Sequence, residues 1–153
     1  MSSKSTNELN TILQSTTLRE LPQVLKENET AMIEGSKTFS EYMRKLFREK
    51  NVRQQDVFLQ ADISERYGYK LISGERDTRQ RDVILRICYA ASFSYDETQK
   101  ALRLYRMPEL YAKDARDAAL IVMFVEHPGS VLDINAYLKK AGFEILRLCG
   151  AQD

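Results

Sequence analysis

The chain has 153 residues, 43% of them hydrophobic and 29% charged, with 23 Lys and Arg against 22 Asp and Glu and a formal net charge of +1. That length suits one compact domain with a small appendage, and it buries a core without metals or disulfides. The near-neutral balance excludes a strongly basic, DNA-coating protein and, over the whole chain, argues against phosphate neutralisation.

Pro and Gly are sparse and no window alternates as a half-buried strand does, so the chain reads as all-α. Residues 1–35 form a Ser/Thr-rich arm in which Leu9, Ile12, Leu13, Leu18, Leu21, Val24 and Leu25 are spaced for one or two short amphipathic helices ending near Asn28. Ser and Thr here are a polar tail or, alternatively, phosphorylation sites. The next helix opens at Thr38 with Glu41 as a capping box and carries Phe39, Tyr42, Met43, Leu46 and Phe47 on one face. A second runs from about Arg53 to Gln60 with Val57 and Phe58 inward. Ser64 caps a third, closed by Ser73-Gly74. A fourth covers about Arg81–Ala91, and Ser94 with Glu97 caps a fifth over Tyr95–Arg106, stopped by Pro108.

Residues 107–153 read as a helical hairpin packed on the rest: about Ala112–Glu126, a break at His127-Pro128-Gly129, then Val131–Ala141 capped by Ser130 with Asp133. The run Ala118–Val125 is far too short to span a bilayer and is expected as the most buried helix. Met123, Phe124, Tyr137 and Phe143 are expected in the hairpin core, with a dimer or partner surface as an equal alternative.

Three short helices with a three- to four-residue turn between the second and third are the parts of a helix-turn-helix, which holds the start of its third helix out for the major groove. The text that carries this is Asn51-Val52-Arg53-Gln54-Gln55-Asp56-Val57, then Ala61-Asp62-Ile63-Ser64, then Glu65 to Ile72, then Ser73-Gly74-Glu75-Arg76. Residues 39–91 thereby resemble the lambda-repressor-like (XRE-type) helix-turn-helix family, and the run Arg66–Gly74 with Ser94–Gln99 and Leu110-Tyr111 resembles a bacterial regulator branch of it. The resemblance implies a DNA-binding domain over residues 36–106. It implies that Gln54 contacts phosphate or braces the recognition helix, that Glu65, Arg66, Tyr67, Tyr69 and Lys70 present toward bases and backbone, and that Leu71 packs inward. Arg and Lys suit guanine, Glu suits cytosine N4, Tyr hydroxyls hold phosphate, and Ser64 leaves N–H groups facing an anion. Arg76, just past the recognition helix, completes the DNA-binding set.

Three positions depart from that pattern. Phe58 stands where the family commonly has a small residue, Asp62 where it has Gly, and Gly68 where an inward aliphatic side chain is usual. Gly68 either permits close approach of helices or weakens the recognition helix, since Gly lowers helix propensity by about 1 kcal/mol relative to Ala. Tyr67 and Tyr69, two apart on a helix, point in different directions, so one is expected partly buried and the other exposed.

Charge counted by segment changes the opening inference. Residues 39–86 hold eleven Lys and Arg and eight Asp and Glu, an excess of +3, while residues 1–38 and 87–153 each carry −1. The excess is modest, and Glu65, Glu75 and Asp77 lie near the DNA face, so binding is expected to need a dimer.

One His and two Cys, Cys88 and Cys149, assemble no triad, zinc site or phosphate loop, so no enzyme and no cofactor are expected, and His127 is expected as a cap or surface residue. Met1-Ser2-Ser3-Lys4-Ser5 lacks the apolar core of a signal peptide, which makes the cytoplasm the expected compartment and membranes no partner. The expectation is a homodimeric regulator on double-stranded operator DNA. The competing expectation is a protein-interaction adaptor that uses the arm and the hairpin.

Overall fold

A computed structural model gives the fold and describes residues 4–29 and 38–147. The elements among the described residues are all helices, and the chain divides into two compact units, Met1–Thr38 and Phe39–Asp153. The second unit therefore holds both the segment read as helix-turn-helix and the C-terminal hairpin. Among the described residues no helix is long and apolar enough to cross a membrane.

In the first unit, α1 (Thr6–Gln14) starts at a capping box in which Ser5 and Glu8 satisfy each other's backbone N–H, and α2 (Leu21–Glu27) has Pro22 in its first turn, where no N–H is needed. Two helices ending at Asn28 match the reading of the arm. Neither buries an apolar side chain; the buried residue is Asn28, which accepts from Lys4 Nζ at 2.5 Å and donates to the Val24 carbonyl.

The second unit comprises α3 (Thr38–Glu49), α4 (Gln54–Ala61), α5 (Glu65–Ser73), α6 (Arg81–Ala90), α7 (Tyr95–Leu104), α8 (Ala115–Glu126) and α9 (Val131–Lys140). The Thr38–Glu41 capping box rests on a side chain outside the described residues, as Cys149 is. Capping boxes at Ser94/Glu97 and Ser130/Asp133 form as read. The hairpin's first helix starts three residues later than the spacing predicts, at Ala115, because Asp114 adopts an extended backbone and its carboxylate accepts the Asp117 N–H.

Helix α6 is the centre of the unit. Seven consecutive residues, Val83 to Tyr89, are buried, and α4, α7 and α9 pack around them. The expectation that Ala118–Val125 forms the most buried helix is thereby corrected. In α8, Leu120, Met123 and Phe124 are buried, Phe124 against Tyr89 of α6, but Val122 and Val125 remain 54% and 69% exposed, because one side of the helix has no covering element. Of the two readings of Tyr137, core or surface, its 60% exposure matches the surface.

Every helix from α3 to α9 is followed by a left-handed residue: Asn51, Asp62, Gly74, Ser92, Arg106, His127 and Gly142. At five of these ends the next residue is apolar and its N–H returns to the last turn. These bonds run from Val52 to Phe47, Ile63 to Phe58, Phe93 to Cys88, Met107 to Leu102 and Phe143 to Leu138, at 2.8–3.0 Å. Each closure satisfies a helix-end carbonyl and drops an apolar side chain onto the core.

Two side-chain clips fix the connections. Arg81 makes a bidentate pair with buried Asp117 at 2.6 and 3.0 Å, and Asp117 also accepts the Tyr111 N–H. Gln99 holds both backbone groups of Leu110, accepting at 2.8 Å and donating at 3.0 Å. The segment between α7 and α8 is thus pinned by polar groups that would cost free energy if left unpaired.

Candidate nucleic-acid interface

Helices α4 and α5 are joined by Asp62-Ile63-Ser64. Asp62 takes the left-handed conformation (φ 57°, ψ 49°) that the turn requires, without Gly's freedom. Ile63 is buried below it, and Ser64 Oγ accepts the Tyr67 N–H at 3.3 Å to start α5. The N–H groups of Glu65 and Arg66 precede the first backbone bond of the helix, from Gly68 N–H to the Ser64 carbonyl, and so point out of its N-terminus.

The α5 sequence sorts its side chains by helical spacing. Tyr67, Gly68, Leu71 and Ile72 are buried, whereas Glu65, Arg66, Tyr69 and Ser73 are exposed, with Lys70 half-buried beside them. Leu71 packs inward as read, and of the two tyrosines Tyr67 is 7% exposed and Tyr69 45%. Tyr67 is therefore corrected from the outward set: its ring lies in the core, with the Arg76 guanidinium 5.4 Å from its centroid. That contact turns Arg76 toward the base of α5. Gln54 is half-buried at the start of α4. Arg66, Lys70 and Glu65 have no ion-pair partner among the described residues.

The two departures Phe58 and Gly68 form one contact. A Cβ built at Gly68 would sit 2.5 Å from two Phe58 ring carbons, so the fully buried ring lies flat against the α5 backbone. Tyr69 also meets this ring, T-shaped at 5.1 Å between centroids. Of the two readings of Gly68, the structure shows close approach.

Arg86, counted among the basic residues of this region, is a structural group. It is buried in α6, donating from Nε to the Ala61 carbonyl at 2.8 Å and from Nη1 to the carbonyls of Leu146 and Arg147 at 2.9 and 3.2 Å. Its Nη2 stands 4.0 Å from the Asp62 carboxylate. The guanidinium thus ties the end of α4 to the last described segment. Lys50, Arg53 and Arg81 are also neutralised, by Glu97, Asp56 and Asp117. The local positive charge that remains open to an anion is carried by fewer groups than the count of eleven implies.

Leu59 is a surface residue that periodicity misses. At 77% exposed it stands on the outer side of α4, although Val57-Phe58-Leu59 reads as one apolar run.

Other chemistry-bearing residues are accounted for by packing. His127 ends α8 in the left-handed conformation, stacks on Tyr89 at 4.6 Å and bonds through Nε2 to the Phe93 carbonyl at 3.0 Å. Cys88 is fully buried, and burial pushes its thiol well above the usual value, away from the reactive thiolate. Among the described residues no three His, Cys, Asp or Glu side chains converge as a metal site would require.

Comparison with protein-family models, with curated proteins and with solved structures returns no match for this chain.

Proposed function

We propose that the protein is a sequence-specific DNA-binding transcriptional regulator that acts as a homodimer, with α3–α7 as a lambda-repressor-like helix-turn-helix unit in the cytoplasm. The observation that carries the reading is the outward stripe of α5. Arg66, Tyr69 and Lys70 follow at i, i+3 and i+4 from a capped N-terminus, unpaired by other charges, on a helix whose opposite side is locked into the core. In this reading Arg66 and Lys70 contact base edges or phosphates, Tyr69 and Ser64 hold the backbone, and Glu65 selects against or for particular bases. Gln54 and Arg76 flank the stripe. Asp62, Glu65 and the neutralised cations keep the affinity of one protomer low, which is why two are needed.

Selection from a random duplex library, run in parallel with wild type and Arg66→Ala, tests the reading. The expected outcome is an enriched motif for wild type that is lost or relaxed in the variant. For Lys70→Ala as a phosphate contact, the slope of log K against log salt falls by about 1. A wild-type protein that enriches no sequence and shifts no duplex at low salt refutes it.

A second reading, the protein-interaction adaptor, is favoured by the arm. Leu13 and Leu25 are exposed on two short helices that bury no apolar side chain, and Leu18, in the link between them, is exposed as well. Such a helix pair offers the apolar anchors that a partner groove takes up. A pull-down in which removal of residues 1–30 changes nothing counts against it.

A further inference from the structure

The uncovered side of the α8–α9 hairpin is a groove of about 450 Å³. Buried Met123 and Ile134 form its floor, and Ala119, Val122 and Tyr137 its walls, the last 60% exposed. An exposed tyrosine beside exposed valines is an apolar patch of the kind that marks an association surface.

The charges around this patch are arranged by the topology. Four residues, His127 to Ser130, connect the helices, so the end of α8 and the start of α9 lie together and bring Glu126 and Asp133 to the same end of the groove. Asp133 is held in its charged form there by the Ser130 N–H and hydroxyl. Along α9 the stripe Asp133, Tyr137, Lys140 advances at i, i+4 and i+7, about 10 Å of helix rise, and ends in Lys139-Lys140. Glu126, Lys139 and Lys140 have no ion-pair partner among the described residues. The face is therefore acidic at one end, apolar in the middle and basic at the other.

A surface with that polarity is complementary to itself when rotated by 180° about an axis through its centre, which is the requirement for an isologous two-fold interface. We propose that this groove face is the homodimer interface. Two copies meet antiparallel, with Val122 and Tyr137 at the centre and Glu126 of each copy facing Lys140 of the other. The inference deepens the proposed function, resting on its homodimer while naming the surface that makes it.

Sedimentation equilibrium of the full chain tests this with wild type, Tyr137→Glu, Glu126→Lys, Lys140→Glu and the double variant Glu126→Lys/Lys140→Glu, each checked for unchanged helicity. Wild type is expected at twice the chain mass. Tyr137→Glu is expected as a monomer, and each single charge reversal is expected to weaken dimerisation about tenfold or more. The double variant restores opposite charges at both ends and is expected to recover most of the loss. A wild type that stays monomeric, a dimer indifferent to all the variants, or a double variant no better than the singles overturns the proposal. DNA shifts measured on the same samples separate the two ideas: a monomer that shifts DNA sinks the interface and the need for a homodimer but leaves DNA binding standing, and a dimer that shifts none sinks the DNA reading alone.

Discussion

Replacing Gly68 by Ala sets two known effects against each other at one atom. Helix propensity favours Ala over Gly by about 1 kcal/mol in a helix interior. Against this, the new methyl would stand 2.5 Å from the Phe58 ring, whose neighbours leave it fully buried and pressed edge-on by Tyr69. To reach ordinary van der Waals separation the ring must retreat by about 1 Å in a packed core, and overpacking of that kind costs about 1–3 kcal/mol. Packing wins, so Gly68→Ala is expected to lose up to about 2 kcal/mol net. In a Phe58→Leu background the obstruction is gone, and the same step is expected to be neutral or to gain up to about 1 kcal/mol. The coupling between the two sites is then about 1–3 kcal/mol, measured by urea unfolding of the four proteins under far-UV circular dichroism with the slope unchanged. A Gly68→Ala effect equal in both backgrounds, or a full propensity gain in wild type, would refute the claim that Phe58 and Gly68 are one packing unit.

Asp62→Gly relieves a left-handed residue and removes a carboxylate from the turn, so it is expected to raise stability by up to about 1 kcal/mol and to tighten low-salt DNA binding; a lowered urea midpoint would contradict the first part. Asp117→Ala leaves the Tyr111 N–H without its acceptor and the Arg81 guanidinium with only the Pro108 and Glu109 carbonyls, and is expected to cost about 2–3 kcal/mol in chemical denaturation, whereas a loss under 1 kcal/mol would show that the pair is not structural. Burial raises the Glu97 carboxyl pKa, but the Lys50 ammonium at 2.8 Å and the Ser94 cap outweigh it and hold the group below its usual 4.5. With the folded value depressed, this stabilisation is full above pH 4.5 and is lost as pH falls through the folded value. Glu97→Gln is accordingly expected to be less stable at neutral pH and to show a flatter acid limb in a pH series of thermal melts; parallel acid limbs would contradict it.

What the sequence made legible was chiefly local chemistry. Ser64, Ser94 and Ser130 announce helix starts because a side-chain oxygen bonds an N–H three residues on, and Gly74 and Gly142 announce helix ends. Ser92 takes the same left-handed closure with no compositional mark, while Asn51 is itself a residue that tolerates this conformation and the ends at Arg106 and His127 are marked only by the prolines that follow. The apolar residue after the closure, Val52, Phe93 or Met107, was the available signal. Tertiary relations were harder to read. Phe58 and Gly68 are ten residues apart and register as two separate oddities until their contact is known. The sequence of α6 contains Arg81, Asp82 and Arg86 and so looks half-solvated, yet each finds a partner across the fold and the helix is central. The outward stripe of α5 was legible except for Tyr67, because a two-residue step on a helix says that two tyrosines diverge but not which of them faces the core.

Arg86 bears on how such a unit can be exchanged between proteins. A segment cut after residue 106 would take the turn and the arginine but leave behind the carbonyls of Leu146 and Arg147. The guanidinium would keep the Ala61 carbonyl and the nearby Asp62 carboxylate, but its other donors would turn to solvent and the tie between α4 and the C-terminal segment would be lost. The span from α3 to Arg147 is therefore the unit expected to fold intact, and a chimera built by grafting residues 36–106 alone carries α5 without the contacts that brace the α4–α5 turn.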